Sequence, residues 1–269
     1  MGLVRVGVDV GQKVDPTAIC VAEPEGDAFM IRYLQRLALG MPYPKIAERL
    51  AELVGNLTDR LYRQAWAAIA QQPGSQLIDQ AALRREAEAS IWLLIDATGV
   101  GGPVCDMVTE PLRGTAVSMT RVLFTYGDRY KGGWGRREAK LGKAYLVSRL
   151  QALLQGKRVK LPRTAEAQAL AEELLDYEIK VTEDGNDKYG AFKVGSHDDL
   201  VTALGLACLH DRDAGQVQFM PSLYGPGPEP QTARERAAAV HDDSQLHRQW
   251  AKRHFCPQCH DEWKERGHQ

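Results

Sequence analysis

Four aspartates stand where chemistry can be assembled. Asp9 ends a short valine-rich segment, Asp96 ends the apolar run Ile91-Trp92-Leu93-Leu94-Ile95, and Asp198 and Asp199 open the segment Leu200-Val201-Thr202-Ala203-Leu204. Each adjoins a glycine-containing turn, the kind of edge where side chains converge in a mixed α/β sheet. Carboxylates brought together repel strongly unless a cation neutralises them. Hard cations such as Mg²⁺ or Mn²⁺ take oxygen ligands and suit such a set. Two of them about 3.5–4 Å apart would activate a water and stabilise the leaving oxygen of a phosphodiester. A plainer account of Asp198 and Asp199 also exists, because acids at a helix N-terminus complement its dipole. Leu200, Val201, Leu204 and Ala207 fall on one helical face, with Ser196 or Asp198 as N-cap. The company of Asp9 and Asp96 is what favours the metal reading. Asp15, in the turn before Pro16, suits a metal approach and an ordinary turn equally. His197 reads as a residue that orients the turn, or that contacts a metal-bound phosphate or the acids.

These side chains need elements to carry them. Leu3 to Val10, Thr17 to Glu23 and Phe29 to Leu37 read as an antiparallel three-strand meander, turned at Glu25-Gly26-Asp27. A helix follows from about Lys45, with Ile46, Leu50, Leu53 and Leu57 on one face, running on through Trp66 and Ile69. A second amphipathic stretch spans about 76–89, and residues 60–90 read as an insertion on a simpler αβ pattern. The continuous apolar run to Ile95 predicts a strand buried on both faces. Gly99 to Pro103 then turns into a helix with Val104, Met107 and Val108 inward, followed by a strand over Thr115 to Thr120. A basic, glycine-rich stretch runs from Arg121 to Lys143, and a long helix is expected over about 138–155. Arg158 to Leu161 reads as a strand, and Thr164 to Asp176 as a helix capped by Thr164. Tyr177 to Thr182 and Lys188 to Val194 read as a hairpin.

Composition bounds the answer. With 269 residues, 44% of them hydrophobic, the chain can bury one large core. A net charge of −1 gives no global field for nucleic acid, so any attraction must be local. No apolar run reaches membrane-spanning length and no signal peptide is evident, so a soluble, cytoplasmic protein with no membrane partner is expected. Cys20, Cys105 and Cys208 lie among apolar neighbours and read as buried hydrophobes. After His210, prolines and glycines form a linker, which divides the chain into a domain at 1–212 and a tail at 213–269.

The order of elements resembles the ribonuclease H-like fold, an α/β mixed sheet flanked by helices. The motifs resemble something narrower. Val8-Asp9-Val10-Gly11 followed by Asp15-Pro16-Thr17-Ala18-Ile19 looks like the start of the nuclease domain of phage large terminase subunits. Leu94-Ile95-Asp96-Ala97-Thr98-Gly99 resembles that family's second acidic motif, and His197-Asp198-Asp199-Leu200-Val201-Thr202-Ala203 its third. The likeness covers about residues 3–210. It implies a Mg²⁺- or Mn²⁺-dependent endodeoxyribonuclease using two ions, which cuts concatemeric phage DNA during genome packaging. It further implies Asp9 and Asp96 as ligands and one of Asp198 and Asp199 as a direct ligand, the other ligating the second ion or orienting a water. The implied partners are double-stranded DNA, a separate ATPase motor subunit, and portal or small terminase components, in the host cytoplasm. Full large terminases carry an ATPase before the nuclease. Here no G-x-x-x-x-G-K-[ST] pattern occurs, and Gly99 to Gly102 lacks the phosphate-binding lysine. An isolated nuclease domain, a split-gene nuclease subunit or a family member recruited elsewhere is therefore expected.

Between Arg121 and Lys143, the cations Arg121, Arg129, Lys131, Arg136, Arg137, Lys140 and Lys143 are interleaved with Tyr126, Tyr130 and Trp134. Such a stretch suits contact with a nucleic-acid backbone; a solvated charged loop is the alternative. In the tail, Cys256 and Cys259 form half of a zinc-site pattern that His260 and His268 would help complete, beside the alternative of a chance pair in a polar tail. The same fold would also suit a junction-resolving nuclease, an ATPase- or kinase-like protein, or a non-catalytic adaptor. The kinase-like class requires a duplicated domain and a longer chain.

Overall fold

A computed structural model of the chain describes residues 3–11, 15–72, 77–125, 129–132, 136–181, 187–191 and 198–209, without the side chains of 176–181 and 187–191. All of them belong to one unit, Met1–Gln216. The expected linker and Cys/His tail lie outside the described residues, as do His197 and Ser196.

The meander forms as its alternation dictates. β1 (Val4–Asp9) pairs antiparallel with β2 (Ala18–Glu25), and β2 with β3 (Ala28–Arg36), the tight turn closing at Gly26 with φ of 60°. α1 (Tyr43–Ile69) starts after Pro42 and buries Ile46, Leu50, Leu53, Leu57 and Leu61 at spacings of three and four. α2 (Gln80–Ala89) is capped by Asp79, whose carboxylate accepts from the Ala81 amide at 2.9 Å.

β4 (Ile91–Asp96) runs parallel to β1, along the edge of β1 opposite β2. α3 (Gly101–Thr109) leads to β5 (Ser118–Thr125), parallel to β4. β6 (Tyr130–Lys131) and β7 (Glu138–Gly142) form an antiparallel edge, β7 lying parallel to β5. α4 (Lys143–Gln155), β8 (Val159–Lys160) and α5 (Ala165–Asp176) follow. β9 (Tyr177–Val181) and β10 (Asp187–Ala191) make a separate two-stranded ribbon, and α6 (Asp199–Ala207) ends the described chain.

The eight-stranded sheet has the order β6-β7-β5-β4-β1-β2-β3-β8. Three antiparallel strands continued by parallel β4 and β5, with helices on both faces, is the ribonuclease H-like arrangement the element order predicts. Its two faces carry separate cores. Trp92 and Leu94 join Cys20 and the inner faces of α4, α5 and α6. Leu93 and Ile95 join Val6, Val8 and Ile19 beneath α1 and α3. That division explains why the β4 run is apolar without interruption. Cys20, Cys105 and Cys208 are buried as free thiols. Among the described residues, no helix is long and apolar enough to cross a membrane.

Several expectations are corrected. The strand expected over Thr115 to Thr120 begins at Ser118 and continues to Thr125, and the basic, glycine-rich stretch from Arg121 to Lys143, for which no strand was expected, carries the end of β5 together with β6 and β7. The helix expected from 138 starts at Lys143, and Leu141 belongs to β7. Glu138 to Gly142 has helix-compatible residues, but pairing with β5 satisfies its backbone and buries Ala139 and Leu141. Met107, expected inward on α3, is 40% exposed, and Cys105 takes the buried position beside Val104 and Val108. α6 is buried all round rather than on one face.

Candidate functional site

The parallel pairing of β1 and β4 sets the site. Val8 lies opposite Ile95, so Asp9 and Asp96 leave the sheet side by side at the same edge. α6 reaches that edge because it lies directly on β1. A Cβ on Gly7 would sit 2.2 Å from the Ala203 carbonyl oxygen, so the absence of a side chain permits the approach. Asp9, Asp15, Asp96 and Asp198 thereby line one cleft of about 400 Å³, together with Lys143 and Thr202.

Each acid is held differently. The Asp96 carboxylate accepts from the Thr98 amide at 2.8 Å, and the Thr98 hydroxyl accepts from the Phe124 amide at 2.9 Å, which ties the turn to β5. The chain escapes the turn through Gly99, at φ of 61°, and Gly101, where a Cβ would meet the Asp96 carbonyl oxygen. Burial pushes Asp96 above the ordinary carboxylate range, opposed by the Thr98 hydrogen bonds and the charge of Lys143. Asp9 is pushed well above that range: first by burial, though part of the residue still reaches the cleft, then by the charges of Asp96, Asp198 and Asp199. Lys143 opposes that shift too. Its ammonium lies 5.6 Å from the centre of the Phe124 ring.

The third motif splits. Asp198 is the N-cap residue of α6 and lines the cleft, yet its side chain makes no capping hydrogen bond. Asp199 is 1% exposed, and its Oδ2 is paired with Arg36 Nε at 2.7 Å. Its Oδ1 is buried without a hydrogen-bond partner. Arg36 also pairs with Glu173. The second oxygen of Glu173 accepts from the Leu200 and Val201 amides at 3.1 and 3.2 Å.

Arg36 and Glu173 were missed in the sequence, although each carries a faint signal. Glu173 lies three residues beyond Leu170, on the stripe that Ala167 and Leu170 bury. Arg36 lies two beyond Leu34, on the same side of β3. An ionisable residue in an inward position calls for a partner.

The carboxylates of Asp9, Asp15, Asp96 and Asp198 at the cleft, with mutual repulsion focused on Asp9, fit a hard divalent cation. As the side chains stand, no group of three or more His, Cys, Asp or Glu among the described residues is close enough to hold an ion. The acids share a cleft and feel one another's charge without being drawn to ligand distance.

The expected DNA-binding cations fall into separate places. Lys143 lies in the acidic cleft. Arg121 is paired with Asp106 at 2.6 Å. Arg129, Lys131, Arg136, Arg137 and Lys140 are exposed, Lys131 directly opposite Lys140 on the β6–β7 edge. Cys256, Cys259, His260 and His268 lie outside the described residues.

No family model matches the chain, and no curated protein matches it. Among solved structures, it is similar to the large terminase nuclease from thermophilic phage G20c, with 19% identity and a TM-score of 0.46 over 77% of this chain and 81% of that one. It is similar also to the nuclease domain of the large terminase subunit of bacterial virus Sf6, with 14% identity and a TM-score of 0.46 over 77% and 87%. A third is the Mn-soaked human cytomegalovirus terminase nuclease domain, with 12% identity and a TM-score of 0.41 over 76% and 80%.

Proposed function

We propose that this protein is a nuclease that hydrolyses DNA phosphodiester bonds with Mg²⁺ or Mn²⁺ held at the cleft. The observation that carries the proposal is the meeting of Asp9, Asp96 and Asp198, from the ends of two parallel strands and the start of a buried helix, in one cleft that also holds Lys143. Bound divalent ions would supply an activated water and charge for the leaving oxygen. The chain's own part is positional. The amide of Thr98 fixes one oxygen of Asp96, so its other oxygen keeps a set direction. Asp9 and Asp198 supply carboxylates from either side. Asp199, behind them, adds negative charge felt at Asp9 while Arg36 holds it in place. Lys143 presents a cation to an incoming phosphate and offsets the acids' repulsion when none is there. Asp15, on the rim, is within the same cleft. The exposed cations of the β6–β7 edge extend a path for the duplex beyond it.

The motif resemblance supports a finer reading: an endonuclease that cuts concatemeric DNA by a two-ion mechanism during genome packaging, working beside an ATPase motor with portal or small terminase components. The tail cysteines and histidines would hold a Zn²⁺ ion.

The test is cleavage of supercoiled, linear and branched DNA with Mg²⁺ or Mn²⁺, wild type against Asp96→Ala. Metal-dependent cleavage of duplex DNA by the wild type is expected, with a loss of about a hundredfold or more in the variant. Absence of cleavage on every substrate overturns the nuclease reading, and cleavage of branched DNA alone replaces the duplex substrate with a junction.

A further inference from the structure

An aspartate in the N-cap position of a helix ordinarily turns its carboxylate back onto the amide of the second or third helical residue. In α6 those are the amides of Leu200 and Val201. Both donate instead to Glu173, which reaches across from α5. Asp198 occupies the N-cap position, makes no capping hydrogen bond and lines the cleft. The exchange is built into the core. Glu173 is buried, its other oxygen is held by Arg36 from β3, and Arg36 in turn holds Asp199. Three distant elements therefore meet at one helix start: β3, α5 and α6.

We infer that Glu173 is a positioning residue: it caps α6 in place of Asp198, and so leaves the Asp198 carboxylate to face the cleft. Arg36 anchors the arrangement by binding Glu173 on one side and Asp199 on the other, which keeps Asp199 behind the helix start. The pair Asp198-Asp199 is thereby sorted into one carboxylate for the cleft and one for the core. Without Glu173, two buried helix amides need an acceptor, and Asp198 is the nearest residue built to supply one. It would then turn away from the cleft.

The consequence for metal binding rests on the nuclease proposal, but the capping exchange does not, and a thermal-unfolding cycle in EDTA reads it alone. Glu173→Met keeps the side-chain volume and removes the acceptor. In the wild type, Asp198→Ala is expected to leave the melting temperature unchanged or raise it, because no cap is lost and a repelling charge is removed. In the Glu173→Met background the same change is expected to lower it by about 2–4 °C, the worth of one cap in a domain of this size. In the Glu173→Gln background, where the side-chain oxygen still accepts, Asp198→Ala should behave as in the wild type. An equal effect of Asp198→Ala in the wild-type and Glu173→Met backgrounds overturns the exchange. So does a loss in the Glu173→Gln background, which also serves if Glu173→Met does not fold.

Mn²⁺ titration calorimetry supplies the second readout. Glu173→Met should weaken Mn²⁺ binding about 10- to 100-fold, with Glu173→Gln restoring most of it. Unchanged Mn²⁺ affinity in Glu173→Met overturns the positioning role. A wild type that binds Mn²⁺ and shows the melting cycle without cutting DNA sinks the nuclease proposal and supports the positioning one.

Discussion

At Asp9 the competing demands of the site meet in one carboxyl. Burial and the charges of Asp96, Asp198 and Asp199 raise its affinity for a proton, and Asp96 is raised in the same direction by burial. An acid whose folded pKa lies above its ordinary value of 3.8 stabilises the fold fully below that value. It ceases to do so as the pH rises through the raised value. Metal-free protein is therefore expected to lose stability from acid towards neutral pH at these groups, and Mn²⁺ should restore what they lose. Asp9→Asn should raise the melting temperature in EDTA at neutral pH by about 2–4 °C, flatten that part of the pH profile, and abolish cleavage. A melting temperature that falls in Asp9→Asn would show that the carboxylate is satisfied rather than repelled. The position of Asp9 and Asp96 was legible because each ends an apolar strand beside a glycine turn. The sorting of Asp198 from Asp199 was not, since it depends on Arg36 and Glu173, residues 163 positions before and 26 before Asp199 in the chain. Sequence spacing records neighbours along one element, and a cap supplied by another helix leaves no local pattern.

α6 shows how an element can be short and still govern the geometry. Its nine residues are all buried, its amides are capped by Glu173, and its far end is held by two arginines. Arg5 donates to the Leu209 carbonyl, and Arg149 donates to that of Cys208 at 2.8 Å. Cations at the C-terminus and a carboxylate at the N-terminus both complement the dipole. Contact with β1 runs through Gly7, where an added Cβ would also lie 2.5 Å from the Ala207 amide nitrogen. Gly7→Ala must therefore push α6 off the sheet, at a cost of about 1–3 kcal/mol and with a fall in cleavage as Asp198 moves relative to Asp9. Denaturant unfolding and cleavage rates check both; full activity with normal stability would mean that α6 can slide without disturbing the site. The long elements announced themselves through periodicity, as α1 did with Ile46, Leu50, Leu53 and Leu57. β7 did not, because Glu138 to Gly142 is too short for its period to be told from the start of α4, and only pairing with β5 decides it.

Across the whole molecule, charge has to be read by place rather than by sum. The net charge of −1 offers a duplex no general attraction, and the cleft itself concentrates acids. On the proposed nuclease reading, a duplex is expected to be held by the exposed cations around the β6–β7 edge together with Lys143, at the start of α4 in the cleft. On that edge Lys131 and Lys140 are directly opposite one another, an arrangement that costs stability in a strand pair. Two exposed like charges held side by side are offset when a phosphate backbone lies across them. Binding of duplex DNA, measured in the Asp96→Ala background so that the strand stays intact, should weaken steeply with salt. Replacing Lys131 and Lys140 together by alanine should lower affinity with little regard to sequence, and reduce the slope of log affinity against log salt by about 2, close to one for each phosphate no longer neutralised. It should also leave the fold as stable as before or more so, since the pair repels. A salt slope unchanged by that double substitution would move the DNA path to the other exposed cations, Arg129, Arg136 and Arg137, on the same side of the sheet order.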